Sequence, residues 1–186
     1  MKKIIVFASG SGSNAEEIIN HCHENKTMEV VQIYTNNPTA KVIDRANRLK
    51  VPVEVFNRED LIEGKITEKL IQDSPDLIVL AGFLWKFPEP LVKAFPNKII
   101  NIHPALLPKY GGKGMYGMNV HQAVLDNKEK DTGITIHYVN EHYDEGGIIF
   151  QKAITIEDCK TADAIAEKIH VLEHQYFSKV IEKLLT

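Results

Sequence analysis

The sequence predicts an α/β fold in which helices cover both faces of a doubly wound, mostly parallel sheet, giving three layers. Three observations lead to this fold class. Short apolar runs rich in β-branched residues alternate with segments of helical periodicity, as in Ile4 to Ala8 followed by Ser13 to Glu24. The run Leu77 to Leu80 has no polar residue, which is typical of a strand buried on both faces. A Gly/Ser cluster follows the first run directly, at Ser9 to Asn14, where a strand would turn into a helix.

The first half of the chain repeats this strand and helix rhythm. In chain order, the apolar patterns predict a strand over 4–8, a helix to about 24 that Ser13 or Asn14 caps, a strand over 30–35, a helix over 40–50, a strand over 51–56, a helix over 58–72 and a strand over 76–81. The apolar face predicted for the helix over 58–72 consists of Leu61, Ile62, Ile66 and Leu70. We expect the strand over 76–81 at the centre of the sheet, with a turn at Gly82 beyond its carboxyl end, where open α/β sheets bind ligands.

The second half of the chain has a different character. We expect a strand over 98–102, a Pro- and Gly-rich loop to Met118, a helix over 120–126, an alternating strand over 133–139, a polar turn over 141–147 and a strand over 148–156. Loops as long as the one that ends at Met118 are usually functional or disordered. A long helix begins at Thr161, and its predicted apolar stripe is Ile165, Ile169, Leu172, Tyr176 and Val180.

Composition limits the classes of protein that this chain can be. Its 186 residues, 44% of them hydrophobic, are enough for one domain over 1–186. A net charge of -3 does not favour nucleic acid as a partner. Cys22 and Cys159 are too few for a disulfide framework or a zinc site, so no metal is expected. No segment resembles a signal peptide or a membrane span, which predicts a cytoplasmic protein without a membrane partner.

The cluster Ser9 to Asn14 is the first candidate site. Glycines allow close approach of the backbone, and a helix N-terminus presents free amides to an anion, which favours a phosphate site. A dinucleotide fingerprint is the rival interpretation, because Gly10, Gly12 and Ala15 have its spacing, although the second strand ends at Asn36 without the acidic residue that binds a ribose. A tight turn without a ligand is the third.

The pair Asn101 and His103 is the second candidate. Alternate residues of a strand point to the same side, so an amide and an imidazole would emerge together at the carboxyl end of a core strand. Pro104 ends the ladder and restricts His103 to extended geometry, which predicts a preorganised pair. The alternative is a strand end whose histidine binds a neighbouring carbonyl.

Asp144 lies in a polar turn before Gly146 and Gly147, where the backbone can fold closely against a site. A carboxylate about 4 Å from an imidazolium interacts with it by about 4 kcal/mol at an effective dielectric near 20. If Asp144 reaches His103, we therefore expect it to keep that histidine protonated. The alternative is a solvated acidic turn. Two other polar residues are weaker candidates. We expect His137 to be structural or to support the site. Glu173 lies next to the apolar stripe of the last helix, where a carboxylate either flanks the stripe in solvent, which the position favours, or points inward as a ligand group.

Together these residues resemble the glycinamide ribonucleotide formyltransferase family over essentially the whole chain. The resemblance is carried by Gly10 to Asn14, Ala81 to Phe83, Asn101 to Pro108, Thr132 and Gly133 with His137, and Asp144 with its glycines. It implies the formyltransferase fold, with a Rossmann-like N-terminal half. It also implies transfer of a formyl group from 10-formyltetrahydrofolate, as co-substrate, to the amine of glycinamide ribonucleotide in purine biosynthesis, with small-molecule partners and a monomer or homodimer.

The resemblance also implies roles for single residues. Asn101, His103 and Asp144 would be catalytic. The ribonucleotide phosphate would bind Gly12, Ser13 and Asn14, and Glu173 would meet the substrate's amino end. The folate site would be formed by Arg58, Leu84, Trp85, Lys86, Phe87 and Asn101. The chain departs from the family in two places: Gly111 to Met118 is longer than in many relatives, and Lys86 stands where many have Arg. His121 matches a family histidine.

Other functions with the same fold or the same loop stay open at this point. Methionyl-tRNA formyltransferase and formyltetrahydrofolate hydrolase share the Asn, His and Asp set, but the first carries an extra C-terminal domain and the second an N-terminal one. A non-catalytic nucleotide-binding module would need the phosphate loop alone, with Asn101, His103 and Asp144 in structural roles.

Overall fold

The computed structural model describes all residues 1–186 and contains one seven-stranded sheet flanked by seven helices. The elements in chain order are β1 (Lys2–Phe7), α1 (Ser13–Asn25), β2 (Met28–Thr35), α2 (Val42–Arg48), β3 (Val53–Val55), α3 (Arg58–Ile62), α4 (Lys65–Asp73), β4 (Leu77–Leu80), α5 (Glu89–Ala94), β5 (Ile99–His103), α6 (Met118–Asp126), β6 (Asp131–Tyr138), β7 (Ile148–Thr155) and α7 (Ala162–Leu185). None of the helices combines the length and apolar character of a membrane span.

The strands lie in the order β3-β2-β1-β4-β5-β6-β7, which confirms the predicted α/β class. The first five strands of this order pair in parallel, whereas β6 and β7 are antiparallel to their neighbours. The apolar strand β4 occupies the centre, as predicted. The chain winds away from β1 in one direction through β2 and β3, then returns to the other side of β1 at β4. This reversal leaves a crevice at the carboxyl ends of β1 and β4, where ligands bind in open α/β sheets.

The two faces of the sheet are each covered by apolar side chains. In β1, Ile4 and Val6 belong to a core shared with α1, α2, α6 and α7, whereas Ile5 and Phe7 belong to a second core shared with α3, α4 and α5. All four are fully buried. The absence of polar alternation in β1 therefore follows from its position between two helical layers. The close packing of side chains on both faces holds the carboxyl end of the strand in a fixed place.

The prediction of a single helix over 58–72 is wrong, because the chain forms two short helices there. The Asn57 side chain accepts a hydrogen bond from the Asp60 backbone N–H, and the Asp60 side chain binds the Asn57 backbone N–H, which starts α3. Gly64 then adopts φ 87° and begins α4. The break turns Ile62 away from the predicted apolar face, and this residue is 65% exposed.

Two further predictions of local structure need correction, and one helix was not predicted. Neither Ser13 nor Asn14 caps α1, because the N-cap position is Gly12 at φ 71° and has no side chain. Apolar and polar residues alternate along strand β6 as predicted, but burial does not: six consecutive residues are buried, since its isoleucines face the helical core while Thr135 is covered by the segment after β5. The sequence pattern did not indicate α5, a helix of six residues that starts after Pro88.

The apolar stripe predicted for α7 is correct in its first half only. Ile165, Ile169 and Leu172 are buried, but further along the helix the buried positions are Phe177 and Ile181 in place of Tyr176 and Val180. The last turns of α7 face α1, where Glu182 binds His21. Contact with a second helix therefore rotates the buried face relative to the sheet.

The close packing of Gly146 against β6 gives a testable prediction on stability. A Cβ atom at Gly146 would lie 1.7 Å from the Tyr138 carbonyl oxygen, whereas one at Gly147 would meet nothing closer than 3.9 Å. We expect Gly146→Ala to lower the free energy of unfolding by about 2 kcal/mol, because backbone must move to admit the methyl group. Urea denaturation of Gly146→Ala and of Gly147→Ala as control measures the difference. Equal unfolding free energies for the two variants would show that the turn is loosely held.

Candidate active site

A cavity of about 650 Å³ opens at the carboxyl ends of β1, β4 and β5. Its walls come from the loop after β1, the segment after β4, the end of β5, the loop before α6, the turn between β6 and β7, and one face of α7. The cavity has the size of a small-molecule site and lies at the topological switch point of the sheet.

The loop after β1 forms one end of the cavity and contains Gly12, Ser13 and Asn14, the three residues expected to bind phosphate. Gly12 cannot be replaced without movement, because a Cβ atom there would lie 2.4 Å from Cγ2 of Val42 and its φ is +71°. The glycine therefore allows α2 to pack directly behind the loop.

Glu173 lies beside this loop and is buried, so of its two interpretations the solvated flank, which the sequence favoured, is wrong and the inward orientation is correct. It accepts a hydrogen bond of 2.9 Å from Nδ2 of Asn14, and Nδ1 of His170 lies 3.1 Å from the same carboxylate. The Glu173 carboxylate raises the pKa of His170. These contacts turn the carboxylate toward the cavity, because α1 and α7 meet there.

Two buried polar atoms next to Glu173 have no hydrogen-bond partner in the protein, namely Oδ1 of Asn14 and Nδ1 of His121. Burial lowers the pKa of His121, although the charge of Glu173 partly opposes this effect. Both residues line the cavity. Unpaired buried groups cost free energy, so this corner is suited to a polar ligand with hydrogen-bonding groups of its own.

Asn101 and His103 leave the end of β5 on the same side, as predicted, and both line the cavity. Nδ1 of His137 lies 2.8 Å from the Tyr138 carbonyl oxygen, which can only accept, so this nitrogen carries the proton. Nε2 of His137 is then an acceptor for the Asn101 amide, whose Nδ2 is 3.2 Å away. His137 thus fixes which end of the Asn101 amide is the donor, and it supports the site as expected.

The prediction that Asp144 keeps His103 protonated is wrong. Burial lowers the pKa of His103, and the charge of Asp144, although it acts in the opposite direction, does not reverse this. Nε2 of His103 donates a hydrogen bond of 2.7 Å to the Tyr110 carbonyl oxygen. The remaining nitrogen, Nδ1, lies 3.6 Å from Oδ2 of Asp144. The ring is therefore neutral near pH 7, and Nδ1 is its basic atom.

Asp144 does not lie in a solvated acidic turn. Its side chain is 12% exposed and its two oxygens lie 3.6 Å from His103 and from His137, respectively. The Gly112 N–H donates a hydrogen bond of 2.9 Å to the carboxylate. Burial alone would raise the pKa of Asp144, but the two histidine rings, which are protonated in the acid range where a carboxyl titrates, and the Gly112 amide together hold it below its ordinary value. The carboxylate is thus ionised between two imidazoles.

The segment expected to bind folate is only partly at the cavity. Leu84, Trp85, Lys86 and Phe87 line it, whereas Arg58 is an exposed residue at the start of α3 and is not part of the wall. Nζ of Lys86 lies 5.2 Å from the centre of the Tyr143 ring, a cation–π contact across the opening.

Sequence reasoning missed the residues that hold the loops in place. Thr135 donates a hydrogen bond to the Ala105 carbonyl and accepts one from the Leu107 N–H, which fixes the chain just beyond His103. Ser9 accepts a hydrogen bond of 3.0 Å from the Leu84 N–H. Both are small hydroxyl residues in apolar surroundings, and only the partner across the fold distinguishes them from ordinary strand or turn residues.

The arrangement has the elements of acyl-transfer chemistry. Asn101 presents an amide donor that is held in one orientation, and such donors stabilise an oxyanion when they are aimed at it in advance. His103 and Asp144 form a neutral base next to a carboxylate, a pair that can accept a proton and stabilise the resulting imidazolium.

Comparison with known proteins agrees with this chemistry. Residues 2–181 match the family described as "Formyl transferase". The chain is 40% identical to phosphoribosylglycinamide formyltransferase of Bacillus subtilis, covering 100% of this chain and 95% of that protein. It is 38% identical to the chloroplastic phosphoribosylglycinamide formyltransferase of Arabidopsis thaliana, covering 97% of this chain but 64% of that longer protein.

A solved structure gives the same result. The fold matches glycinamide ribonucleotide transformylase 1 of Geobacillus kaustophilus with a TM-score of 0.91 and 35% identity, over 100% of both chains. Family match, sequence identity and fold therefore agree along nearly the whole length. The chain belongs to the formyl transferase family.

Proposed function

We propose that this protein transfers the formyl group of 10-formyltetrahydrofolate to the amine of glycinamide ribonucleotide. The observation that carries the proposal is the placement of Asn101 beside the pair of His103 and Asp144 in the cavity. The other end of the same cavity is the glycine loop, Gly10 to Asn14, which follows β1. The names of the relatives from Bacillus subtilis and Arabidopsis thaliana support the same substrate. One domain over residues 1–186 would hold both substrates.

The cavity suggests where each substrate binds. The phosphate of the ribonucleotide binds the amides of Gly12, Ser13 and Asn14 at the N-terminus of α1. Glu173 then meets hydrogen-bond donors of the ribonucleotide toward its amino end, next to the unpaired atom of His121. Leu84 to Phe87 contact the folate, whereas Arg58, which is exposed at the start of α3 and outside the cavity wall, stays a prediction from the family resemblance.

The reaction begins when the amine of the ribonucleotide attacks the formyl carbon. The formyl oxygen becomes an oxyanion, and the second N–H of the Asn101 amide, the one not bound to His137, donates to it. Nδ1 of His103 takes the proton from the attacking amine, and the carboxylate of Asp144 stabilises the imidazolium that forms. The C–N bond to the folate then breaks, and the departing nitrogen receives the proton from His103.

A single assay tests the proposed activity. The protein is mixed with 10-formyltetrahydrofolate, and release of tetrahydrofolate is followed before and after glycinamide ribonucleotide is added. We expect release only with both substrates, together with formylation of the ribonucleotide. Release without the amine would indicate a hydrolase, and no release in either case would indicate a non-catalytic nucleotide-binding module.

We expect Asn101→Ala to lower kcat by about 10²- to 10³-fold, because it removes a donor that acts on the oxyanion. The Michaelis constants should change far less, since the amide interaction strengthens only in the transition state. Steady-state kinetics at saturating concentrations of both substrates measure this effect. Asn25→Ala, at the exposed end of α1, is a matched control and should have the wild-type kcat. Near-normal turnover by Asn101→Ala would contradict the assigned role.

We expect His103 to titrate below its ordinary pKa of 6.5 in the free protein, because burial disfavours the imidazolium. Asp144→Asn removes a negative charge that favours protonation, so the pKa of His103 should fall further. NMR titration of the histidine ring resonances measures both values. Glu173 raises the pKa of His170, and burial opposes this effect, so the His170 resonance is an internal control that depends on a different carboxylate. A His103 pKa above 6.5, or one that rises in Asp144→Asn, would contradict the neutral base.

A further inference from the structure

Helix α2 packs behind the glycine loop and holds two successive carbonyl groups of that loop. The Val42 backbone N–H donates a hydrogen bond of 3.2 Å to the Gly10 carbonyl oxygen. Nε of Arg45 donates one of 2.8 Å to the Ser11 carbonyl oxygen. One of these bonds comes from backbone, and the other depends on the identity of a single side chain.

The direction of these carbonyls fixes the direction of the amides that follow them. In a planar trans peptide the C=O and N–H bonds point to opposite sides. Since the carbonyls of Gly10 and Ser11 point to α2, the N–H groups of Ser11 and Gly12 point away from it. Neither N–H donates to a backbone carbonyl. The loop lines the cavity, whereas no residue of α2 does, so the two free amides are on the cavity side.

Arg45 is held in this position by a second contact. Its guanidinium also binds the carboxylate of Glu16, in the first turn of α1, and Arg48 binds the other oxygen of the same carboxylate. The side chain of Arg45 is 32% exposed and that of Arg48 is 62% exposed. The planar fork of Arg45 therefore connects the loop, α1 and α2, whereas Arg48 connects only the two helices.

We propose that Arg45 is a positioning residue for phosphate binding: it orients the Ser11–Gly12 peptide so that the Gly12 N–H faces the anion, without contacting the ligand itself. The inference rests on the proposed function, because that function supplies a ribonucleotide phosphate as the anion in the loop. Attraction between the charge of Arg45 and the phosphate is the competing explanation, and the two explanations predict different results for Arg48.

The matched pair Arg45→Met and Arg48→Met separates orientation from charge. Each variant removes one positive charge and one bond to Glu16, but only Arg45→Met releases the Ser11 carbonyl. We expect Arg45→Met to raise KM for glycinamide ribonucleotide about tenfold, with kcat and KM for 10-formyltetrahydrofolate within about twofold of wild type. Arg48→Met should leave all three constants within about twofold. Equal increases of KM in both variants would overturn the proposal.

Arg45→Lys is the second test and also protects against misfolding of the methionine variant. Lysine keeps the charge, but one ammonium group cannot reproduce the planar, two-sided contact with Ser11 and Glu16. We expect most of the increase in KM to persist in Arg45→Lys, with a thermal unfolding midpoint close to that of wild type. A wild-type KM in Arg45→Lys would show that charge alone is sufficient, and the proposal would then be wrong.

A binding measurement distinguishes failure of this proposal from failure of the proposed function. Inorganic phosphate is titrated into the ¹⁵N-labelled proteins, and the amide resonances of Ser11 and Gly12 are followed by NMR. We expect both to shift in wild type and Arg48→Met, and the Gly12 shift to be lost or reduced about tenfold in apparent affinity in Arg45→Met. This result would support the role of Arg45 even if the wild type did not formylate glycinamide ribonucleotide. Identical titrations in all three proteins would refute the role of Arg45 even if the wild type did formylate glycinamide ribonucleotide.

Discussion

A carboxylate that is taken out of water must recover its lost hydration from charges or hydrogen bonds, and this condition applies to Asp144 as it does to Glu173. The groups around Asp144 come from three separate segments: the Gly112 amide before α6 donates a hydrogen bond to it, and His103 at the end of β5 and His137 in β6 each place a ring nitrogen 3.6 Å from one of its oxygens. The turn that carries Asp144 is in turn packed against β6 through Gly146. The buried charge therefore couples the two long loops of the second half to the antiparallel part of the sheet.

In the proposed reaction, the same charge would allow the site to hold a proton temporarily. The pair of Asp144 and neutral His103 carries one negative charge, because burial lowers the pKa of the imidazole and the surrounding groups lower that of the carboxylate. When His103 takes a proton, the pair becomes neutral overall. An imidazolium alone in this environment would be costly, but next to Asp144 it is compensated at 3.6 Å. The low pKa of His103 in the resting protein thus suits a base that must also release its proton again.

The sequence was sufficient to predict what depends on local pattern. The unbroken apolar run of β4 predicts its central position, and strand alternation places Asn101 and His103 on one side. It was not sufficient for what depends on packing between distant elements. The burial of Glu173 follows from the rotation of α7 against α1, and the neutral state of His103 follows from the loop that brings the Tyr110 carbonyl to its ring. The approach of Asp144 to His103 was expected only from the resemblance to a family, since no spacing in the chain predicts it.

The two ends of the cavity are supported by different halves of the sheet, and this division has a consequence for function. The glycine loop is held from behind by α2 in the parallel half, whereas Asn101 and Asp144 are held by β6 and its turn in the antiparallel half. A ligand that spans the cavity must contact both. Under the proposed function, changes behind the loop would therefore act on how tightly the ligand is held, and changes near β6 would act on the groups proposed to react. The unpaired atoms of Asn14 and His121 belong to the wall that bears Glu173. Since each such atom costs about 1–3 kcal/mol until a partner reaches it, a ligand with matching polar groups recovers that cost as binding free energy.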